Sequence, residues 1–209
     1  MPPVEYLIGF IGASLVLLLL PGPGVFYVVA RSVSQGPRAG LVSVVGLTAG
    51  AFVHVVFATV GLSAVLLASA TIFGFIKLLG AAYLIYLGLQ ALFDSSRETA
   101  VEKLDAEAGR KIFMDGVIVS VLNPKIAVFF LAFLPQFVDP SGGNASQQIL
   151  LLGVIYCCLA LITDGCYAIL ASRARRWLGG PLGQSALPRY GSGAVYIGLG
   201  VGTAFTEVD

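Results

Sequence analysis

The sequence predicts an all-α membrane protein of about six transmembrane helices, built as two inverted three-helix repeats whose first helices are broken. Three observations carry this prediction. The composition is too apolar for a water-soluble domain, the basic residues fall in alternate connections between apolar stretches, and proline-containing breaks interrupt the first helix of each half.

The composition excludes an ordinary soluble domain. Of the 209 residues, 57% are hydrophobic and only 11% are charged, whereas soluble domains carry about 25% charged residues. So few charges cannot cover a water-exposed surface, and the lipid bilayer is the expected surrounding. The 26 glycines suit helices that approach one another closely in lipid. The formal net charge of +1 gives no overall field that would attract nucleic acid.

Six apolar stretches are each about long enough to cross the hydrocarbon core, which takes roughly 20 helical residues. They occupy residues 4–30, 40–68, 70–93, 112–138, 147–172 and 189–206. The second and third are barely separated and the last is the shortest, so five spans remain an alternative. The mixed-charge stretch 94–111 is predicted to be a cytoplasmic linker. It divides the chain into a first three-helix repeat at 1–93 and a second at 112–209.

The placement of basic residues orients the predicted helices. With six spans, the connections at 31–39, 94–111 and 173–189 lie on one side of the membrane. They hold ten of the twelve Lys and Arg residues, namely Arg31, Arg38, Arg97, Lys103, Arg110, Lys111, Arg173, Arg175, Arg176 and Arg189. The positive-inside rule makes this side cytoplasmic, so both termini are predicted to lie outside the cytoplasm.

The two halves of the chain resemble each other faintly. Residues 80–88 (GAAYLIYLG) in the third stretch echo residues 193–200 (GAVYIGLG) in the sixth. The first stretch is interrupted at Pro21-Gly22-Pro23-Gly24 and the fourth at Asn123-Pro124-Lys125. Because each half has an odd number of spans, the second half must lie inverted relative to the first. Inverted repeats with broken helices at matching positions are typical of secondary transporters.

The two breaks form the predicted site for a small solute. Proline opens the helical hydrogen-bond ladder, and backbone groups freed in hydrocarbon are costly unless protein, water or a ligand satisfies them. The half-helix after each break presents N–H groups with a partial positive charge, which suit a carboxylate. A simple packing kink is the alternative for either break alone. The predicted solute-binding residues are Pro21, Gly22, Pro23, Gly24, Asn123, Pro124 and Lys125.

Asp164 is the predicted proton-coupling residue. It lies in the fifth stretch on a helical stripe of small residues: Gly153, Cys157, Ala160, Ala168 and Ala171. Such a stripe marks a face packed against other helices, so the carboxylate is expected inside the bundle, where it could exchange protons. Lys125, halfway along the fourth stretch, could hold a solute carboxylate or pair with Asp164. A fixed ion pair with Lys125, or a hydrogen bond to freed backbone, is the purely structural alternative for Asp164.

Two other ionisable residues fall inside predicted spans, where a charge costs about 2.5–3.5 kcal/mol at the bilayer centre. His54 follows Gly46 and Gly50 at four-residue steps and is predicted to be a hydrogen-bonded residue at a tight helix interface. Lys77 lies near the expected outer end of the third stretch, where its stem can reach the membrane surface.

Motifs spread over most of the chain resemble those of the LysE/RhtB family of amino-acid exporters. They run in the family's order and include Asp164 in the fifth stretch. Gly24 departs from the pattern, since such proteins often carry a polar residue after Pro-Gly-Pro. The motifs are Pro21-Gly22-Pro23, Gln35-Gly36-Pro37-Arg38-Ala39-Gly40, Gly80-Ala81-Ala82-Tyr83-Leu84 with Tyr86-Leu87-Gly88, Asn123-Pro124-Lys125 and Leu134-Pro135-Gln136-Phe137.

The resemblance implies a secondary transporter that exports amino acids or their derivatives across a bacterial inner membrane by proton antiport. The expected partners are the solute, protons and the lipid bilayer, with no cofactor and no resident metal. The termini would then be periplasmic. The oligomeric state stays open, a homodimer included.

Other functional classes have weaker support in the sequence. Walker A, HExxH, paired CxxC and GxSxG patterns are absent, so an enzyme is not predicted. Export of a metal cation would need soft or carboxylate-rich ligands, and the chain has one histidine. A thiol-redox membrane protein would need cysteines near the breaks, whereas Cys157, Cys158 and Cys166 lie together in the fifth stretch, where packing is the expected role. A pore without proton coupling remains a further alternative.

Overall fold

The computed structural model describes residues 2–62, 108–139 and 142–173, together with the single residues 82, 85, 86 and 89. Over this part of the chain, the elements are helical. They are α1 (Val4–Leu19), α2 (Pro23–Gln35), α3 (Pro37–Phe57), α4 (Gly109–Val121), α5 (Pro124–Val128) and α6 (Ala145–Arg173). A π-helical turn at Ala58–Leu62 extends α3, and α5 continues through a π-helical turn at Phe129–Phe133 into a 3₁₀ turn at Leu134–Phe137.

The first break separates α1 from α2 with a bend of 53°. Leu20 ends α1 in an extended conformation, and Gly22 is also extended before Pro23 opens α2. Proline is favoured at the first position of a helix because the missing N–H has no intrahelical partner there. The sequence Pro21-Gly22-Pro23 therefore stops one helix and starts the next within three residues.

The second break separates α4 from α5 with a bend of 49°. Asn123 is extended, and its side-chain oxygen accepts a hydrogen bond of 3.1 Å from the backbone N–H of Lys125. Asparagine is among the preferred residues at this capping position, and Pro124 again occupies the first helical position. The two breaks thus share an extended residue followed by proline at the first helical position, whereas the side-chain cap occurs only at the second break.

The other two long helices are continuous. Within the described residues, Pro37–Gly61 and Ala145–Arg173 are each long and apolar enough to cross a membrane, and each bent pair can form one further span. These four correspond to the predicted stretches 40–68, 147–172, 4–30 and 112–138. The prediction of an all-α membrane protein with broken first helices is confirmed.

Glycines let α3 approach its neighbours closely. A side chain at Gly46 would collide with the backbone carbonyl of Phe113 in α4, and one at Gly50 would lie 2.6 Å from the carbonyl of Val117. On α6, a side chain at Gly153 would overlap Val55. Small residues are the usual means by which helices associate in lipid, where no hydrophobic force drives them together.

The contacts between helix ends define two ends of the bundle. At one end, the start of α3 meets the end of α6 at Gly40 and Ala168, and the second half of α2 meets α4 at Arg31 and Asp115. The exposed basic residues Arg38, Arg110, Lys111 and Arg173 lie at these helix ends. At the opposite end, α1 approaches Phe137, since a side chain at Gly9 would lie 3.0 Å from its ring. The two broken helices therefore run in opposite directions, as inversion requires.

An aromatic cluster fills the bundle beside the second break. Its rings lie 5.0–5.8 Å apart between centroids, within the range of favourable aromatic pairs. It joins α1, the continuation of α5 and α6 through Phe10, Phe129, Phe130, Phe133, Phe137 and Tyr156. This packing holds the half-helix after the second break against the rest of the bundle.

Several predictions fall outside the described residues or are only partly covered by them. The stretches at 70–93 and 189–206, the repeated glycine motifs at 80–88 and 193–200, and Lys77 lie there, apart from the single residues 82, 85, 86 and 89. The division into two three-helix repeats therefore stays a prediction. At the end of the predicted linker 94–111, α4 already begins at Gly109.

Candidate functional site

A cavity of about 40 Å³ lies between the two breaks, which is room for a few water molecules. Gly22 and Gly24 contribute from the first break, Asn123 and Lys125 from the second, and Asp164 from α6. The remaining lining residues are Leu18, Val25, Leu47, Thr48, Ala51, Ser120, Ile126, Tyr156 and Ala160. The cavity is thus an apolar chamber with a few polar groups, as solute sites commonly are.

Five of the eight predicted site residues line this cavity, namely Gly22, Gly24, Asn123, Lys125 and Asp164. The three prolines, Pro21, Pro23 and Pro124, are not among its lining residues. They create the site indirectly, since Pro23 and Pro124 start the half-helices whose ends face the cavity.

Lys125 is a buried cation at the second break, with 6% of its surface exposed. Its ammonium group donates a 2.9 Å hydrogen bond to the backbone carbonyl of Leu20, at the end of α1. The break in one half of the chain is therefore stabilised by a charged side chain from the break in the other half. A lysine so placed needs such partners, because burial removes its hydration.

A second carbonyl at the first break is also satisfied from the other half of the chain. The hydroxyl of Tyr167 on α6 donates a 2.8 Å hydrogen bond to the carbonyl of Leu19. Carbonyls at the end of a helix have no intrahelical partner, and in lipid they cannot rely on bulk water. Lys125 and Tyr167 thus serve two adjacent carbonyls at one break.

Asp164 is buried on the small-residue face of α6, with 8% of its surface exposed. The other members of the predicted stripe, from Gly153 to Ala171, are buried as well. The geometry confirms that this face packs into the bundle. Asp164 and Lys125 line the same cavity and are close enough to interact electrostatically.

Three hydroxyl residues of the cavity were not singled out from the sequence, namely Ser120, Thr48 and Tyr156. Ser120 of α4 is fully buried and lies one turn before the second break. Thr48 of α3 is half-buried, and its hydroxyl donates to the carbonyl of Val44 at 2.9 Å. Serine and threonine are common in membrane helices, so composition offers no signal that separates a site hydroxyl from a packing one.

A second polar cluster at the basic end of the bundle was also missed. Arg31, expected in a connection, is buried in α2, and its guanidinium lies 3.3 Å from the carboxylate of Asp115 in α4. The ring of Tyr27 lies beneath the same guanidinium, at 5.4 Å, and its hydroxyl donates to the carbonyl of Ile112 at 2.7 Å. This cluster joins the two broken helices at that end.

His54 has the interface role predicted for it. Its Nε2 lies 3.2 Å from the carbonyl of Ser120, and its ring stacks on Phe130. Cys157 is buried in the aromatic core, whereas Cys158 and Cys166 are exposed, and none of the three lines the cavity. Among the described residues, no group of three or more His, Cys, Asp or Glu could hold a metal ion.

Comparison with known proteins places the chain among membrane transporters. It is 31% identical to the homoserine/homoserine lactone efflux protein of Salmonella typhimurium over 93% of this chain and 94% of that protein. The protein of the same name from Salmonella typhi is 32% identical over the same shares. An uncharacterized membrane protein of Bacillus subtilis, YrhP, is 29% identical over 96% of this chain and 99% of its own length. No solved structure matches the chain.

The family assignment rests on nearly the whole chain. The sequence model of the LysE type translocators matches residues 15–206, which include both breaks, the cavity and Asp164. The expected resemblance to LysE/RhtB proteins is confirmed, and the chain is a multi-pass membrane transporter of a small molecule rather than an enzyme. This protein belongs to the LysE type translocator family.

Proposed function

We propose that this protein exports amino acids or amino-acid derivatives across the bacterial inner membrane in exchange for protons. One observation carries the proposal: a single cavity brings together both helix breaks, a buried lysine and a buried aspartate. An amino acid carries one carboxylate and one ammonium group, and this cavity offers a group of opposite charge to each.

The solute carboxylate would bind at Lys125 and at the start of α2, near Gly22 and Gly24. The first N–H groups of a helix lack intrahelical partners and carry a partial positive charge. Lys125 now donates to the carbonyl of Leu20, and a carboxylate at the break would compete for the same ammonium group. Solute binding would thereby loosen a contact that joins the two halves of the chain.

Asp164 would bind either a proton or the ammonium group of the solute. A carboxylate buried beside a lysine changes its proton occupancy when the charges around it change. Binding of an ammonium group favours the ionised carboxylate and so expels a proton. Release of the solute on the far side leaves the carboxylate free to take up a proton there. Alternation between the two occupants is a direct physical route to antiport.

The cavity as it stands has room for a few waters, so a whole amino acid requires it to widen. Alternating access in broken-helix transporters supplies such widening, because one part of the bundle rocks against the other around a central site. The clustering of Arg38, Arg110, Lys111 and Arg173 at one end of the bundle supports a cytoplasmic position for that end. The N-terminus would then be periplasmic.

Homoserine is the first solute to test, because two relatives of this chain are named as homoserine/homoserine lactone efflux proteins. The protein is reconstituted in liposomes, and homoserine flux is measured with and without an imposed pH gradient. We expect the gradient to drive homoserine flux against its own concentration gradient, with protons moving in the opposite direction.

Asp164→Asn is the decisive variant. Its matched control is Asp139→Asn, which changes a carboxylate that does not line the cavity. Asparagine keeps the size of the side chain but cannot bind or release a proton as a carboxylate does. We expect Asp164→Asn to lose pH-driven flux while Asp139→Asn keeps it. Undiminished, proton-coupled flux in Asp164→Asn would contradict the role assigned to Asp164.

A further inference from the structure

Hydroxyl side chains on the described helices usually bond back to their own helix. The hydroxyl donates to the backbone carbonyl four residues earlier, at 2.6–3.0 Å, which satisfies it without a partner from elsewhere. This is the expected solution in lipid, where water is absent. The residues that follow this pattern are Ser32, Ser34, Ser43, Thr48, Thr59 and Thr163.

Ser120 departs from this pattern. Its side chain is fully buried, and its hydroxyl has no hydrogen-bond partner. Ser14 of α1 is the other fully buried serine among the described residues with the same property. A buried hydroxyl without a partner is unfavourable, and such groups call for an explanation, such as a bound water or ligand.

The position of Ser120 separates it from Ser14. Ser120 lines the cavity that also contains Asn123, Lys125 and Asp164, whereas Ser14 is not among the cavity residues. The residue with the unpartnered hydroxyl therefore forms part of the wall of the chamber where a solute would bind. A polar group held without a protein partner at such a place is expected where a ligand completes its hydrogen bonding.

The surroundings of Ser120 hold it in place. A side chain at Gly50 would lie 2.6 Å from the Cβ of Ser120 and 3.1 Å from its hydroxyl, so α3 approaches Ser120 closely. The backbone carbonyl of Ser120 lies 3.2 Å from Nε2 of His54, which is on α3 like Gly50. A rigidly held polar group is suited to selecting among solutes, because it cannot move away when its partner is missing.

We infer that Ser120 is a specificity-determining residue that hydrogen-bonds a hydroxyl group on the side chain of the transported amino acid. The inference rests on the proposed export of amino acids. There, Lys125 and Asp164 take the carboxylate and the ammonium group. Asn123 and Thr48 are already hydrogen-bonded within the protein, whereas the hydroxyl of Ser120 is not, so it is available to what remains of the solute. A neutral serine hydroxyl matches a neutral hydroxyl, to which it can both donate and accept.

The test compares two amino acids that differ by one hydroxyl. Homoserine carries it, and 2-aminobutyrate is otherwise the same molecule. The ratio of their kcat/KM values is measured in liposomes containing the full-length protein. Sites that hydrogen-bond a solute hydroxyl strongly reject analogues lacking it. We expect the wild-type protein to favour homoserine by at least about tenfold and Ser120→Ala to bring the ratio close to one. Equal transport of both solutes by the wild-type protein would overturn the inference.

Ser14→Ala is the matched control, since it removes the other unpartnered buried hydroxyl away from the cavity. We expect it to keep the wild-type ratio. Ser120→Cys preserves the size of the side chain and weakens its hydrogen bonding, so it should lower the ratio as well and provides a second variant if Ser120→Ala folds poorly.

The outcomes distinguish a failure of this inference from a failure of the proposed export of amino acids. Homoserine export with an unchanged ratio in both Ser120 variants would overturn the role of Ser120 and leave the proposed function standing. Equal losses for both solutes in Ser120→Ala would place the hydroxyl on the carboxylate or ammonium group and overturn the inference too. Failure of the wild-type protein to transport homoserine or any other amino acid would overturn the proposed function itself.

Discussion

Replacement of Lys125 by methionine tests whether the buried lysine binds the solute or only stabilises the first break. Methionine keeps the length of the side chain and removes its charge. The variant loses the 2.9 Å hydrogen bond from the ammonium group to the carbonyl of Leu20. It also removes the cation that interacts with Asp164. Both losses occur inside the bundle, where bulk water cannot replace the missing partner.

The expected size of the effect follows from the charged donor and its burial. Hydrogen bonds that involve a charged group contribute about 1.5–3 kcal/mol, so we expect the free energy of unfolding in detergent to fall by about that amount. If the same ammonium group binds the solute carboxylate, apparent solute affinity falls by a similar free energy. That corresponds to a loss of roughly 10- to 150-fold, since each 1.4 kcal/mol is a factor of ten.

Tyr167→Phe separates the two roles. It removes the 2.8 Å hydrogen bond to the neighbouring carbonyl of Leu19 and leaves the charge of Lys125 in place. Neutral side-chain hydrogen bonds in membrane proteins average about 0.6 kcal/mol, so a small loss of stability is expected. Flux of homoserine into liposomes, measured against its concentration, gives the apparent affinity. Wild-type affinity in Lys125→Met, or the same loss in both variants, would refute solute binding by Lys125.

Two further predictions concern the contacts that join α4 to its neighbours. Gly46→Ala should lower the free energy of unfolding by about 1–3 kcal/mol, because the added methyl group would overlap the carbonyl of Phe113. Gly12→Ala is the control, because no neighbouring atom lies within 4 Å of the added carbon, and it should leave the free energy of unfolding unchanged. Equal melting temperatures for the two variants would contradict the close approach of α3 to α4 at Gly46. Asp115→Asn should lower the free energy of unfolding by about 1–3 kcal/mol, because it removes the carboxylate that pairs with the buried guanidinium of Arg31. An unchanged denaturation midpoint would show that the ion pair contributes nothing to stability.

The sequence was sufficient for the class of fold and for the positions of the breaks. Proline chemistry is local, so Pro23 and Pro124 could be assigned to helix starts without knowledge of the tertiary structure. The stripe of small residues that contains Asp164 was equally readable, since a helical face is set by spacing alone. These features depend only on the chain near each residue.

Contacts between distant residues were beyond such reasoning. The sequence suggested that Lys125 could meet Asp164 or a solute carboxylate, but nothing near Lys125 in the chain indicates the carbonyl of Leu20, 105 positions away. Arg31 was counted with the connections because basic residues usually end helices at the membrane surface. It lies instead within α2, where Asp115 of another helix compensates for its burial.

Ser120 shows a further limit of sequence reasoning. Its neighbours in the chain are those of an ordinary membrane helix, and most hydroxyls on the described helices bond to their own backbone. Only the missing hydrogen bond and the adjoining cavity distinguish it. The absence of a hydrogen bond to the hydroxyl of Ser120 can be recognised only from the three-dimensional structure.

Protection of the cavity by solute tests the central claim that the solute binds between the two breaks. The three native cysteines are replaced by alanine, and single cysteines are placed at Thr48, which lines the cavity, and at Ser34, which does not. Both residues are half-buried, and both hydroxyls bond the carbonyl four residues earlier. Saturating homoserine should slow maleimide labelling of Thr48→Cys and leave that of Ser34→Cys unchanged. Transport of homoserine with equal labelling rates at Thr48→Cys, with and without solute, would contradict the claim.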